Sequence, residues 1–414
     1  MRKLINKNSQ CRICKSKNIE KIFSLGQTPL ANSFLKKQNF NKEKWFPLDV
    51  YFCHSCYLVQ LIDVVNKEHM FSHYVYFYSA MPQAPQHFIK YSKDVTRRFV
   101  KDPKKELVLE IGSNDGLLLK AFKNIGCLKI LGVDPAKNVT KIAKKNGVPT
   151  ITDFFNFPLA NKILKRYGKA KVIVANNTVA HINDLHDLVK GIKLLLKDNG
   201  VFVFEVPYLM DMFKELAFDS IYHEHLSFFS ILPLVTLFKQ YDLDIFDVQL
   251  VERQGNSIRV FICHSKKYPV SKELKKLINI ETRMGFAKAS TYHALFKKIN
   301  RSKIKLNKTL IDLKKKKYRI AAYGSPARGN TVLNYCKIGT ETLDYATEEL
   351  PSKIGLYTPG MHIPVIDIKD ARKRLPDYFL LLAWNYKDAI LMKEKKFINQ
   401  GGKFIIPVNE VKII

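Results

Sequence analysis

The sequence predicts an α/β protein with two doubly wound parallel sheets behind a small cysteine-containing unit. Two alternations of apolar strand and amphipathic helix, and one pair of CxxC turns, carry this expectation. The first alternation runs from Glu106 to about Pro207, with strands LVLEIG, KILGVD, KVIVANN and GVFVFEVP. Its helices fall near 117–124, 137–145, 158–166 and 184–197. The second begins near Arg319, with strands RIAAYG, TLDYAT, PVIDI, YFLLLAW and KFIIP and a helical stretch at 385–398. A basic, amphipathic helical tract over about 271–316 separates the two. Residues 88–100 suit a helix leading into the first alternation, and the segment up to about residue 70 reads as short strands and turns. The expected units are therefore 1–72, 73–250 and 251–414, with no short-period repeat and no low-complexity linker.

A length of 414 residues accommodates two or three domains, and 46% apolar residues supply their cores. The basic Met1 segment is not followed by an apolar h-region, so no signal peptide is expected. The apolar stretch from Leu226 to Phe238 is too short and interrupted to cross a bilayer, which excludes a membrane partner and places the protein in the cytoplasm. The net charge of +32 fits a phosphate-rich partner, but the lysines are scattered along the whole length, with no basic tract interleaved with aromatics. Most of that charge reads as solvated surface, with some available to a diphosphate.

Four of the seven cysteines form two CxxC units, Cys11 with Cys14 and Cys53 with Cys56, 38 residues apart. In a reducing compartment such pairs read as metal ligands before disulfides. Four thiolates on two tight turns suit tetrahedral Zn²⁺ and leave no open position, so the site reads as structural. The spacing exceeds that of common ribbons and implies an insertion that loops out. His54, inside the second unit, reads as a bystander. Cys127, Cys263 and Cys336 read as buried small hydrophobes.

Glu110-Ile-Gly-Ser-Asn-Asp-Gly116 follows the strand LVL. Gly112 and Gly116 permit a tight turn and close approach of backbone to a ligand. Asp134 ends the next strand, 24 residues beyond Glu110, where an acid can bind ribose hydroxyls. A Rossmann dehydrogenase competes for this pattern, but its GxGxxG is absent.

Tyr222-His-Glu-His225, preceded by Glu205-Val-Pro-Tyr208, is a dense set of acid/base groups. The same His-x-His pair could hold a metal, or the tetrapeptide could be a polar surface turn. Tyr323-Gly-Ser-Pro-Ala-Arg-Gly-Asn330 runs from a strand into a helix. Such a turn aims backbone N–H groups at an anion, and Arg328 could add a charge-assisted contact. A plain tight turn gives the same residues.

The E-x-G-x-x-x-G form with its second acid resembles class I methyltransferases. Over essentially its whole length the chain resembles the sugar C-methyltransferase family. The carrying residues are CRIC, LGQTPLANSF and CHSC; then LEIGSNDGLLL, ANNTVAHI and FDSIYHEHLSFFS; then AYGSPARGNTVLNYC, YTPGMHIPV and LLAWNY. The resemblance implies a small zinc-binding domain, a class I (Rossmann-like) methyltransferase domain and a second Rossmann-like domain. It implies S-adenosylmethionine as methyl donor and structural zinc on the four cysteines. It makes Glu110, Gly112, Asn114, Gly116, Asp134 and Asn177 the candidate cofactor contacts. Tyr323, Gly324, Arg328 and Asn330 become candidate substrate contacts. Two stretches depart from the family pattern: FYSAMPQ replaces a serine-rich segment, and ATEELPSK replaces an aspartate-containing turn.

The function so implied is methylation of carbon, C-3 for choice, of a nucleotide-linked 4-keto-deoxysugar. His225 would remove the proton, Glu224 or Tyr222 would orient its ring, and Tyr76 or His181 would hydrogen-bond the enolate oxygen. No catalytic metal and no nucleic-acid partner are expected, and the sequence leaves the oligomeric state, a monomer included, open. The main rival is an rRNA or tRNA methyltransferase with the zinc unit as reader, which salt-dependent RNA binding would reveal. A binding module that keeps the nucleoside pocket without the chemistry is the second.

Overall fold

The computed structural model describes residues 4–71, 77–80, 83–251 and 257–414. A seven-stranded sheet forms its centre. We number these strands in chain order: β1 Leu107–Ile111, β2 Lys129–Asp134, β3 Thr150–Thr152, β4 Ala170–Asn176, β5 Leu196–Pro207, β6 Leu243–Val251 and β7 Ser257–His264. Their spatial order is 6-7-5-4-1-2-3, parallel from β3 to β5 and antiparallel at β7 and β6. β1 and β4 are buried at every residue, as strands covered on both faces must be.

The expected helices form at Leu117–Asn124, Lys137–Lys145, Phe157–Tyr167 and Leu185–Leu195. Asn156 and Asp184 cap the last two by accepting from the N–H groups of Leu159 (2.7 Å) and Asp187 (3.0 Å). β7 completes this sheet, so the division expected at 250/251 falls inside the β6–β7 hairpin. Long-range strand pairing, which no local pattern reports, decides that point.

A second sheet of six strands orders 365–367, 346–348, 320–323, 378–381, 403–406 and 412–413, parallel except at the last. Helices Lys272–Arg283 and Ala289–Lys315 connect the two sheets. Among the described residues no helix is long and apolar enough to cross a membrane.

The N-terminal sheet is antiparallel, with strands Ile19–Thr28, Phe46–Cys53 and Val59–Leu61. The chain between the CxxC units therefore does not loop out. It forms this hairpin, and its connection folds inward, where Leu35 bridges to Tyr357 and the Ala31 carbonyl accepts from Asn330 Nδ2 (2.7 Å). A fourth strand comes from far along the chain: Ser227–Phe228, just after Tyr222–His225, pairs with Val59 and Gln60. The acid/base segment is thus stitched into the cysteine-containing unit.

Each CxxC turn is closed locally. The N–H of Lys15 donates to the Cys11 carbonyl (3.0 Å), and that of Tyr57 to the Cys53 carbonyl (2.8 Å). Lys15 and Tyr57, each following a second cysteine, take positive φ of 59° and 70°. The four Sγ atoms lie within 4.8 Å of one another, with Cys11–Cys56 at 3.5 Å and Cys14–Cys53 at 3.4 Å. Tetrahedral Zn–S bonds of about 2.3 Å require S–S separations of about 3.8 Å, so the donor set fits Zn²⁺. His54 turns away and pairs with Glu20 (2.9 Å). Metal analysis of the purified protein should find about one zinc per chain. Cys53→Ser should lose that zinc and lower Tm by roughly 5 °C or more; an unchanged Tm after metal loss would remove the structural role.

A candidate active site between two sheets

In an open α/β sheet the ligand crevice lies beyond the carboxyl ends of the strands, where the strand order reverses. In the central sheet that point lies between β1 and β4, and their exits carry Gly112 and Asn177. In the C-terminal sheet it lies between the strands 320–323 and 378–381, whose exits carry Gly324 and Ala383. One cavity of about 810 Å³ is lined by all four residues, and Tyr222, Glu224 and His225 line it with them. The two crevices open into one another around the Tyr222–His225 segment.

At the β1 exit, Gly112 has φ +73°, and a Cβ there would lie 2.1 Å from Thr178 Oγ1. Asn114, also left-handed at φ 49°, receives the N–H of Tyr78 (3.1 Å) on its side-chain oxygen. Asp134 ends β2 at the cavity wall, its carboxylate held by the N–H groups of Asn114 and Ala136 (2.9 Å each). Phe154 and Phe155 line the wall beyond it. Gly112, Asn114, Asp134 and Asn177 thus face the cavity. Glu110 and Gly116 lie outside its lining. Gly116, at φ +80°, starts the helix Leu117–Asn124 and meets Val148. Glu110 is wholly buried on β1, and burial pushes its carboxyl well above the usual range. Both its oxygens lack a hydrogen bond within the described residues. A cradle with no room for Cβ, an oriented acid and an aromatic wall fit a nucleoside sulfonium such as S-adenosylmethionine.

His225 is held by its backbone neighbours. Its Nδ1 lies 2.7 Å from the Ser220 carbonyl, which can only accept, so Nδ1 carries the proton. Nε2 therefore presents a lone pair, and the Tyr222 hydroxyl donates to it at 3.0 Å. Burial, aided by the Arg328 charge, pulls the His225 pKa from 6.5 down to about 4, so the ring is neutral near neutral pH. The His181 ring stacks on it at 5.1 Å and is also held neutral, by burial and by the neighbouring imidazole. Phe71 also stacks on His181, at 5.7 Å.

Glu224 does not touch that imidazole through any described hydrogen bond; its carboxylate accepts from Asn32 Nδ2 (2.6 Å), on the folded-in connection of the N-terminal sheet. The ring's orientation comes from the Ser220 carbonyl, a backbone group that no side-chain pattern could have signalled. Tyr76 lies outside the described residues.

On the C-terminal side Arg328 lines the cavity, and its guanidinium forks onto fully buried Asp219 (2.9 Å twice), next to Ser220. Trp384 Nε1 donates to the same carboxylate at 2.7 Å. Removing one partner of such a buried pair costs about 3–5 kcal/mol, because the other charge is stranded. The expected anion contact is therefore committed in large part to the 219–226 loop. Gly324 lines the cavity, whereas Tyr323 and Asn330 do not. The Tyr323 hydroxyl donates to Glu394 (2.9 Å), and Asn330 bonds Ala31. In the stretch ATEELPSK, Glu348 accepts from Ser325 Oγ (2.8 Å) and Lys353 Nζ (3.1 Å), and all three line the cavity.

Three protein families match the chain in order. They are described as a zinc binding domain at residues 11–71, a methyltransferase domain at 85–248 and a C-methyltransferase C-terminal domain at 252–409. The C-methyltransferase NovU of Streptomyces niveus is 33% identical over 416 aligned residues, spanning 100% of this chain and 99% of that protein. A ribosomal protein L11 methyltransferase of Dictyoglomus thermophilum is 30% identical over 96 residues, 23% of this chain and 31% of its own. Among solved structures, an S-adenosylmethionine-dependent methyltransferase of Clostridium acetobutylicum aligns with a TM-score of 0.35 at 15% identity, covering 45% of this chain and 94% of that one. The likeness to NovU runs through the zinc unit, both sheets and the loop between them, and on that ground the chain belongs to the C-methyltransferases, enzymes that take a methyl group from S-adenosylmethionine to carbon.

Proposed function

We propose that this C-methyltransferase acts on C-3 of a nucleotide-linked 4-keto-deoxysugar, with His225 as the base. The observation that carries the reading is the protonation pattern of His225: a neutral ring with its proton fixed on Nδ1 and the Nε2 lone pair left to a hydroxyl donor. A C–H beside a ketone is acidic because the resulting anion spreads onto oxygen. A neutral imidazole in a cavity shared with the Gly112–Asp134 crevice is suited to taking that proton. Tyr222, whose hydroxyl is the present donor to Nε2, would yield that position to the substrate and turn its O–H toward the developing oxyanion. His181, neutral beside it, supplies a second polar edge, and we assign Tyr76 to the same oxyanion on the family resemblance alone. S-adenosylmethionine, bound against Gly112, Asn114, Asp134 and Asn177, supplies the electrophilic methyl group. Arg328 and Lys353 line the same cavity, each paired with a carboxylate, and we assign the diphosphate to their side of it.

Mass spectrometry of products from a panel of dTDP-, GDP- and UDP-4-keto sugars, with isotope-labelled S-adenosylmethionine, tests the substrate class; label on no member of the panel would overturn it. His225→Asn should lower kcat by about 10²–10⁴-fold while leaving cofactor affinity unchanged; turnover near the native rate would remove His225 as base. The pH profile is a separate check. A base must be unprotonated, and burial lowers this one, so activity should persist below pH 6.5 and fall only as pH approaches about 4. An acid limb at the ordinary histidine value would contradict the assignment.

A further inference from the structure

Arg12 lies between Cys11 and Cys14, yet the described hydrogen bonds of its side chain all go outside the zinc turn. That turn is closed by backbone hydrogen bonds of Cys11, Lys15 and Ser16. Arg12 is 2% exposed, and the described acceptors of its guanidinium are all neutral oxygens. Nη2 donates to the Leu61 carbonyl (2.6 Å) in the N-terminal sheet and to Asn183 Oδ1 (3.4 Å). Nη1 donates to the Leu226 carbonyl. Burying a cation among neutral acceptors is costly, and an apolar residue would fill the same space at less cost. What an apolar residue lacks is a rigid planar fork that can hold several acceptors at fixed angles.

Leu226 follows His225, and Asn183 lies two residues beyond His181. The two segments are also joined directly, by the Leu226 N–H donating to the Ala180 carbonyl (2.9 Å). We propose that Arg12 is a positioning residue that fixes the His225 and His181 rings against each other from the zinc unit. The catalytic part of this inference rests on His225 being the base. It gives the metal site a route to the chemistry through one side chain.

The test compares Arg12→Met and Arg12→Lys with the native protein. It reads zinc per chain, S-adenosylmethionine affinity, kcat and KM on the keto sugar that the native protein methylates, and the ring ¹⁵N signals of His181 and His225. With zinc and cofactor affinity retained, Arg12→Met should lower kcat on the order of 100-fold at unchanged KM and displace both ring signals. Arg12→Lys, which keeps the charge without the fork, should fall between. A zinc-containing Arg12→Met protein that turns over within about threefold of native, or loses only KM, overturns the proposal. Loss of zinc in both variants overturns it as well, because Arg12 then serves the metal turn. Should His225→Asn remain active, the base assignment falls, while displaced ring signals in Arg12→Met would still report the positioning.

Discussion

The backbone of Leu226 is the point on which the rest of the structure depends. Its N–H donates to Ala180, its carbonyl accepts from Leu61 N–H (3.0 Å) and from Arg12, and the next two residues extend the N-terminal sheet. One residue thus joins the zinc unit, the strand exit that carries His181 and the segment that carries His225. Backbone hydrogen bonds have fixed directions and little tolerance in length, so the join sets position more sharply than apolar packing would. Zinc then has a purpose in a chain with two larger cores of its own. It stiffens a small sheet whose outermost strand belongs to the active site.

The opposite end of the same loop is held by charge. Asp219 is fully buried between Arg328 and Trp384, and Ser220, its neighbour, fixes the tautomer of His225. The loop from 219 to 226 is therefore gripped at one end by the C-terminal sheet and at the other by the zinc unit. At the 226 end the exit of β4 shares in the grip, through the Ala180 carbonyl. The loop lies between the two strand-order reversals whose exits line the one cavity. Preorganisation of that kind lowers the entropy lost when two reactants are brought together.

Burial also tunes the chemistry. His181 and His225 are kept neutral chiefly because a charged imidazole would be poorly solvated there, and each ring opposes the charging of the other or feels Arg328. Glu110, whose carboxyl is wholly buried, shows the same effect on an acid. The acid/base set from Glu205 to His225 that looks uniform in sequence is sorted by environment: Glu205 is ion-paired with Arg259, Tyr208 donates to Glu281 (2.7 Å), and Tyr222 donates to His225.

The sequence by itself determined what is local. Apolar runs and 3.6-residue periodicity gave both doubly wound sheets and the helices at 117–124 and 137–145 to the residue. The CxxC turns announced a thiolate site because a metal needs two ligands per tight turn. Tertiary structure decided what is long-range: that β7 belongs to the central sheet, that the chain between the CxxC units folds inward to bring Asn32 to Glu224, and that Tyr323 and Asn330 face away from the cavity. It also set the Ser220 carbonyl against His225 Nδ1 and the Tyr222 hydroxyl against Nε2. The reason is physical. Side-chain pattern records which face of an element is buried, but a backbone carbonyl has the same identity in every residue, and only the folded path of the chain reveals which one lies beside an imidazole.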